Sequence, residues 1–112
     1  NAISQIADMG LLTDTAKFED LINKERLTNA KRLMKVKNSP VLKMDKTVLF
    51  YRLSRHPRYK DKFKFQDGKV VIRTQKEASE FIKMLNDAIV RSELTNQEYD
   101  SPSKQMLKPL SA

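Results

Sequence analysis

The chain has 112 residues, a net charge of +8 and no cysteine. That length suits one domain burying roughly 65% of its unfolded surface, and 39% hydrophobic beside 32% charged residues favours a folded chain over a disordered one. Lack of cysteine excludes a disulfide framework and thiolate metal ligation; no apolar run approaches the ~20 residues of a bilayer-spanning helix, so the expected location is cytoplasmic.

Asn1-Ala2 stand where an initiator methionine is expected and read as the remnant of a cleaved purification tag. Residues 3–112 are then expected to form a single basic C-terminal domain of a longer protein, with residues 1–2 set aside. The charge is regional. Residues 24–76 hold seventeen Lys and Arg against four acids, whereas the first twenty-three residues sum to −3 and the last thirty-six to −2. A basic middle of this size attracts polyanions through counterion release and long-range steering.

The spacing predicts a first helix from Ile3 to about Met9, ended by Gly10 as its C-terminal cap. A second follows Thr13 or Asp14, with Phe18, Leu21 and Ile22 inward. A third covers about Glu25 to Lys37, with Leu27, Ala30, Leu33 and Met34 as its apolar stripe and Lys31, Arg32, Lys35 and Lys37 mainly outside it. Asn38-Ser39-Pro40 ends that helix, because proline disfavours helix at the residue before it. Asp45 is expected to cap a fourth helix, Lys46 to Arg55, burying Val48, Leu49 and Leu53 with Phe50 or Tyr51, and His56-Pro57 closes it.

Around Asp67-Gly68 the pattern changes to that of a hairpin with a two-residue type I′ turn. Counting outward pairs Gln66 with Lys69, Phe65 with Val70, Lys64 with Val71 and Phe63 with Ile72. Phe63, Phe65, Val70 and Ile72 then share an inner face, and Lys62, Lys64, Gln66, Lys69 and Arg73 surround Val71 on a cationic outer one. Thr74 to Glu77 is a capping box opening a long helix, about Gln75 to Arg91, with Ala78, Phe81, Ile82, Leu85 and Ile89 inward. Ser92 to Ser101 should turn, and Ser101-Pro102 should start a short final helix near Met106. The fold class is α+β, mostly α-helical: four or five helices with one β-hairpin (about 62–66 and 69–73) before a long helix. A winged-helix-like domain is one arrangement this order permits.

Catalytic chemistry finds little support. His56 is the single imidazole, no residues show metal-ligand spacing, and Gly10 and Gly68 stand alone, which excludes a P-loop and a dinucleotide fingerprint. A carboxylate and lysine nuclease centre from Asp67 and Lys69, or from Glu77 and Glu80, is disfavoured because a turn and a helix start already explain these residues. The expectation is a protein that is not an enzyme and has no metal or cofactor. The cations offer more. Lys31, Arg32, Lys35, Lys37, Arg52, Arg55, Arg58, Lys60, Lys62, Lys64, Lys69 and Arg73 are expected to share one surface, with Tyr51 and Tyr59 interleaved to stack on bases or bond phosphates.

At the C-terminal end, Leu85-Asn86-Asp87, then Arg91-Ser92-Glu93-Leu94-Thr95, then Tyr99-Asp100-Ser101-Pro102-Ser103-Lys104 resemble the pattern of the KwaB-like family of the Kiwa antiphage system. Lys35 to Leu42, with its Ser39-Pro40-Val41, and Arg55-His56-Pro57 resemble two further blocks, so the likeness spans roughly residues 30–107. Where the pattern has a second acid after Asn86-Asp87 this sequence has Ala88, so no acid-dependent role is carried over there. The resemblance implies the C-terminal region of a larger protein that binds DNA and acts in phage defence with a membrane partner protein; it implies no catalytic residue. From their chemistry alone, Glu93, Thr95, Tyr99, Ser101 and Lys104 fit a hydrogen-bonded turn joining two helices, for example with Ser101 as a cap, as well as a binding role. The alternative to DNA binding is a structural or oligomerisation domain docking an N-terminal domain, a second copy or a partner through Ile3, Ile6, Met9, Leu11 and Leu12 or through Met106, Leu107 and Leu110.

Overall fold

The computed structural model describes residues 1–95. They form α1 (Ala2–Met9), α2 (Thr15–Asn23), α3 (Arg26–Val36), a 3-10 turn (Pro40–Lys43), α4 (Lys46–Arg55), β1 (Lys64–Gln66), β2 (Lys69–Val71), α5 (Gln75–Asn86) and α6 (Ala88–Thr95). The class is α+β and mostly helical, with the hairpin directly before a long helix. The expected turn after Thr95, the Ser101 cap and the helix near Met106 lie outside the described residues, as do Tyr99 and Lys104.

Local chemistry sets most of the boundaries. The Asp14, Asp45 and Thr74 side chains accept the N–H groups of Lys17, of Thr47 and Val48, and of Glu77, the orphan donors of three first turns. Gly10 ends α1 in the left-handed region at φ 74°, which a β-carbon disfavours. Asn1 and Ala2, set aside on sequence grounds, take part in the fold: Asn1 Oδ1 accepts the Ser4 N–H at 2.9 Å and Ala2 is buried.

The hairpin has the register obtained by counting. Lys64 pairs with Val71, Phe65 with Val70 and Gln66 with Lys69, and the turn residues Asp67 and Gly68 take φ 54° and 78°. Its strands are shorter than expected, three residues each. Lys62 belongs instead to a turn closed by its N–H to the Tyr59 carbonyl, and Arg73 follows β2 into the cap of α5. The outer edge of β2 is occupied as well, since the Val70 N–H reaches the Leu11 carbonyl and the Val70 carbonyl accepts from Thr13.

The core is centred on α5. Its Ala78, Phe81, Ile82, Met84 and Leu85 are buried, with α2 and α3 packed along the helix. Phe81 meets Phe18 of α2 edge-on at 5.7 Å and Phe63 at 5.9 Å, and the aromatic chain continues through Phe65 to Phe50 of α4. Ile6, Met9, Leu11 and Leu12 are buried in this same core and Ile3 packs against it, so the N-terminal apolar segment expected to dock a partner is spent internally.

Three helical expectations change. The helix drawn from 75 to 91 breaks at Asp87, and the stretch from Ser92 to Thr95, expected to turn, continues as α6. Asp87 leaves the helical region at ψ 114°, and its side chain accepts the Val90 N–H at 3.0 Å, ending α5 and starting α6 with one residue. On α3, Met34 and Ala30 face solvent, Asn29 and Val36 are buried and Leu33 is partly covered, while the Leu27 side chain lies outside the described residues. On α4, Leu49 and Leu53 are buried as expected, but Val48 and Tyr51 point outward.

Phe81→Ala should lower stability by about 3–5 kcal/mol, the range for a buried aromatic left as a cavity. Urea unfolding checks this, and a loss under about 1 kcal/mol would remove α5 from the centre of the core. Asp87→Ala should cost about 1 kcal/mol while Asp87→Asn costs a few tenths, because asparagine caps nearly as well. Equal losses for the two would assign the effect to charge instead.

Candidate nucleic-acid interface

Each of four acids on α5 and α6 or at their junction holds a residue of the basic middle. Glu77 takes Arg73 (2.6 Å), Glu80 takes Lys62 (3.1 Å), Asp87 takes Arg58 (2.5 Å) and Glu93 takes His56 (2.7 Å). The Arg73 pair is bidentate, and Glu77 also accepts the Arg73 backbone N–H at 2.7 Å, one residue upstream of the usual capping-box donor. Hydrogen bonding to Arg73 holds the Glu77 carboxyl below its ordinary range against the opposing effect of partial burial, and hydrogen bonding to Glu77 raises the Arg73 guanidinium in turn. At His56 the geometry selects a tautomer: Nδ1 accepts the Arg58 N–H at 3.1 Å, so Nε2 carries the proton donated to Glu93. His56 thus closes α4 and ties it to α6.

These pairs sort the predicted contact residues. Arg58, Lys62 and Arg73 are held by carboxylates. Tyr59, expected to stack on bases, is 3% exposed and stacked on Phe63 at 5.9 Å, so its ring is a core group. Burial first, then the nearby Asp87 charge, pushes its phenol up. Lys31, Lys35 and Lys37 are exposed at α3, while Arg32 is half-buried and its carbonyl accepts from Asn86 at 2.9 Å. Lys60 is exposed in the turn after α4, and Arg52 is half-buried on that helix. Lys64 and Lys69 are exposed on the outer face of the hairpin, diagonal across its ladder. Arg55 is exposed with its guanidinium 3.9 Å above the Tyr51 ring, and Tyr51 is itself 58% exposed.

Where the sequence pattern suggests one surface, the fold carries the cations on two packing units. α3 packs on α1, α2 and α5; α4 packs on α6 and, through Phe50 and Phe65, on the hairpin. The α5–α6 junction reaches both, Asn86 bonding the Arg32 carbonyl and Asp87 the Arg58 side chain.

Four motif blocks meet at that junction. The Ser39 hydroxyl, 2% exposed, donates to the Leu85 carbonyl at 2.8 Å and accepts the Val41 N–H. His56 reaches Glu93, and Asn86, Asp87 and Ser92 are buried or half-buried around it. The position of Leu94 and Thr95 within α6 is all that is described of them. Sequence reasoning misses the tertiary roles of Ser39 and Asn86; polar residues beside buried apolar positions are the available signal. It also places Tyr51 as an alternative core residue, although two residues from Leu49 on a helix is nearly the opposite face.

Of the residues weighed for a nuclease centre, Asp67 sits in the turn and Glu77 and Glu80 are occupied by cations. Among the described residues no group of three His, Asp or Glu side chains is placed to hold a metal, and no helix is long and apolar enough to cross a membrane. The Glu77 pair has a pH signature. Its lowered carboxyl contributes stability that is present above the ordinary glutamate range and is lost as pH falls through the folded-state value. Glu77→Gln should therefore narrow the gap to wild type as pH drops below about 4, which urea midpoints across pH measure; a constant gap would refute the assignment.

No curated protein and no solved structure matches the chain. A family model described as Kiwa protein KwaB-like matches residues 1–95. That match takes in the capped N-terminal helix, the hairpin, α5 and the junction where Ser39, His56, Asn86, Asp87 and Glu93 meet, and on this ground the chain belongs to the KwaB-like family of the Kiwa antiphage system.

Proposed function

We propose that the chain is a non-catalytic DNA-binding module of a Kiwa antiphage protein, gripping DNA mainly through phosphates. One observation carries this reading. After the α5–α6 acids have taken Arg58, Lys62 and Arg73, the side chains of Lys31, Lys35, Lys37, Arg55, Lys60, Lys64 and Lys69 remain exposed, and no carboxylate among the described residues holds them. Uncompensated like charges cost folding energy through self-repulsion, and a bound polyanion converts that cost into affinity by releasing counterions. Lys64 and Lys69 of this set stand on the hairpin, whose β2 is hydrogen-bonded on both edges.

An assembly role is the competing reading, with an N-terminal domain, a second copy or, by family resemblance, a membrane protein as partner. Burial of Ile6, Met9, Leu11 and Leu12 removes its main N-terminal contact surface and favours DNA. Lys64→Ala with Lys69→Ala should weaken binding to every duplex sequence alike. It should also reduce the slope of log affinity against log salt by about 2, near 0.9 for each phosphate that is no longer neutralised. Fluorescence anisotropy across a salt series reads both quantities. Absence of DNA binding at low salt, or binding that ignores salt, would sink the proposal.

A further inference from the structure

The outward face of α4 sets one of the proposed phosphate-binding cations, Arg55, beside two side chains that the phosphate-binding reading does not use, Val48 and Tyr51. Leu49 and Leu53 carry the helix into the core, which leaves Val48, Tyr51 and Arg55 on the other side, spaced by three and four residues. Tyr51 is 58% exposed and Val48 42%, unusual values for apolar groups on a packed helix. The Arg55 guanidinium carbon lies over the phenol ring, 3.9 Å from its centroid, and its Nη1 donates to the Tyr51 carbonyl (3.3 Å) and to Ser54 Oγ (3.2 Å). One face of the ring is therefore backed by the guanidinium. The helix has three cations, Lys46, Arg52 and Arg55, and no acid.

Size decides what such a patch accommodates. A stable protein interface buries about 800 Å² on each partner, far beyond one tyrosine and one valine. A nucleobase needs only one aromatic face, with positive charge nearby for its phosphate, and stacking accepts any base because each has a π-face. Bases inside a duplex are already stacked on both sides. Apart from the outer face of a terminal pair, the free faces belong to unpaired bases, at an overhang, a gap or in a single strand, which can also turn out of the stack to meet a side chain.

We infer that Tyr51, backed by Arg55, is a stacking platform for an unpaired DNA base. This rests on the DNA-binding reading and adds a substrate class to it: DNA with a single-stranded element beside the duplex that the lysines hold. Tyr51 fixes the base plane, Arg55 backs the ring and supplies charge, and Val48 covers the base edge on the N-terminal side.

The test compares the 112-residue chain on a blunt duplex, on the same duplex with a short single-stranded extension, and on one whose extension has abasic sites. The abasic probe has the same phosphates without the bases. The base-bearing extension should bind about 5-fold to 100-fold tighter than the abasic one, as expected for one stacked base, and 2-aminopurine in it should be quenched. Tyr51→Ala should erase both effects and lower affinity for the base-bearing extension by more than it lowers affinity for the blunt duplex; Tyr51→Phe should keep them. Equal affinity for base-bearing and abasic extensions overturns the inference while the DNA-binding reading stands. Failure to bind any of the three probes overturns both. A Tyr51→Ala variant that loses blunt and extended binding equally, or that dissolves a dimer seen by light scattering with DNA affinities unchanged, also refutes the platform.

Discussion

Burial of the Phe81 to Leu85 stripe of α5 is the constraint on which the other elements depend. Large apolar side chains contribute roughly 1.5–3 kcal/mol each when fully buried, and this helix supplies Phe81, Ile82, Met84 and Leu85 within five residues. α2, α3 and the hairpin segment each answer it with an aromatic or aliphatic face. Packing a helix from several sides leaves its terminal backbone groups short of water, so they must find partners inside the protein. Thr74 and Glu77 provide for the first turn, and at the far end Ser39 crosses forty-six positions of chain to meet the Leu85 carbonyl.

The same helix divides the protein's charge. Its acids and those that follow it face the basic middle and remove Arg58, Lys62, Arg73 and the His56 proton from general circulation. Pairs this near the surface add little stability each. Their effect is spatial: they hold the turn after α4 and the start of α5 in place. What remains outside, on two packing units, is a set of exposed cations that no carboxylate among the described residues holds, and on these the proposed affinity for polyanions rests.

Within the motif blocks, Ser39, His56, Asn86, Asp87 and Glu93 make the hydrogen bonds that join α3, α4, α5 and α6 at a polar junction. Lys35, Lys37 and Arg55 of the same blocks are exposed instead and belong to the proposed binding surface. The α4 platform adds a third component, an aromatic ring backed by a guanidinium on the helix that joins the junction to the hairpin.

By itself the sequence determined whatever short-range physics decides. The Asp67-Gly68 turn permits positive φ at two successive residues, and side-chain alternation then leaves one register, so the pairing of Lys64 to Gln66 with Lys69 to Val71 was readable by counting. Asp45 and Thr74 announced two helix starts, and Thr13 or Asp14 a third that the fold gives to Asp14, because a cap is a bond to an N–H three residues on. Net charge and its concentration in the middle needed no fold at all. Only the tertiary structure decided which face of α3 turns inward, that Tyr59 is core and Tyr51 is surface, and which cations the acids occupy. Those outcomes depend on contacts between separate elements: Glu80 against Lys62, Asn86 against Arg32, and Phe63 held between Tyr59 and the Phe81 ring of α5. The break at Asp87 belongs with them. The apolar stripe from Ala78 to Ile89 permitted one long helix, and only the fold shows Asp87 accepting the Val90 N–H where α6 begins, with α6 packed on α4 and the 3-10 turn.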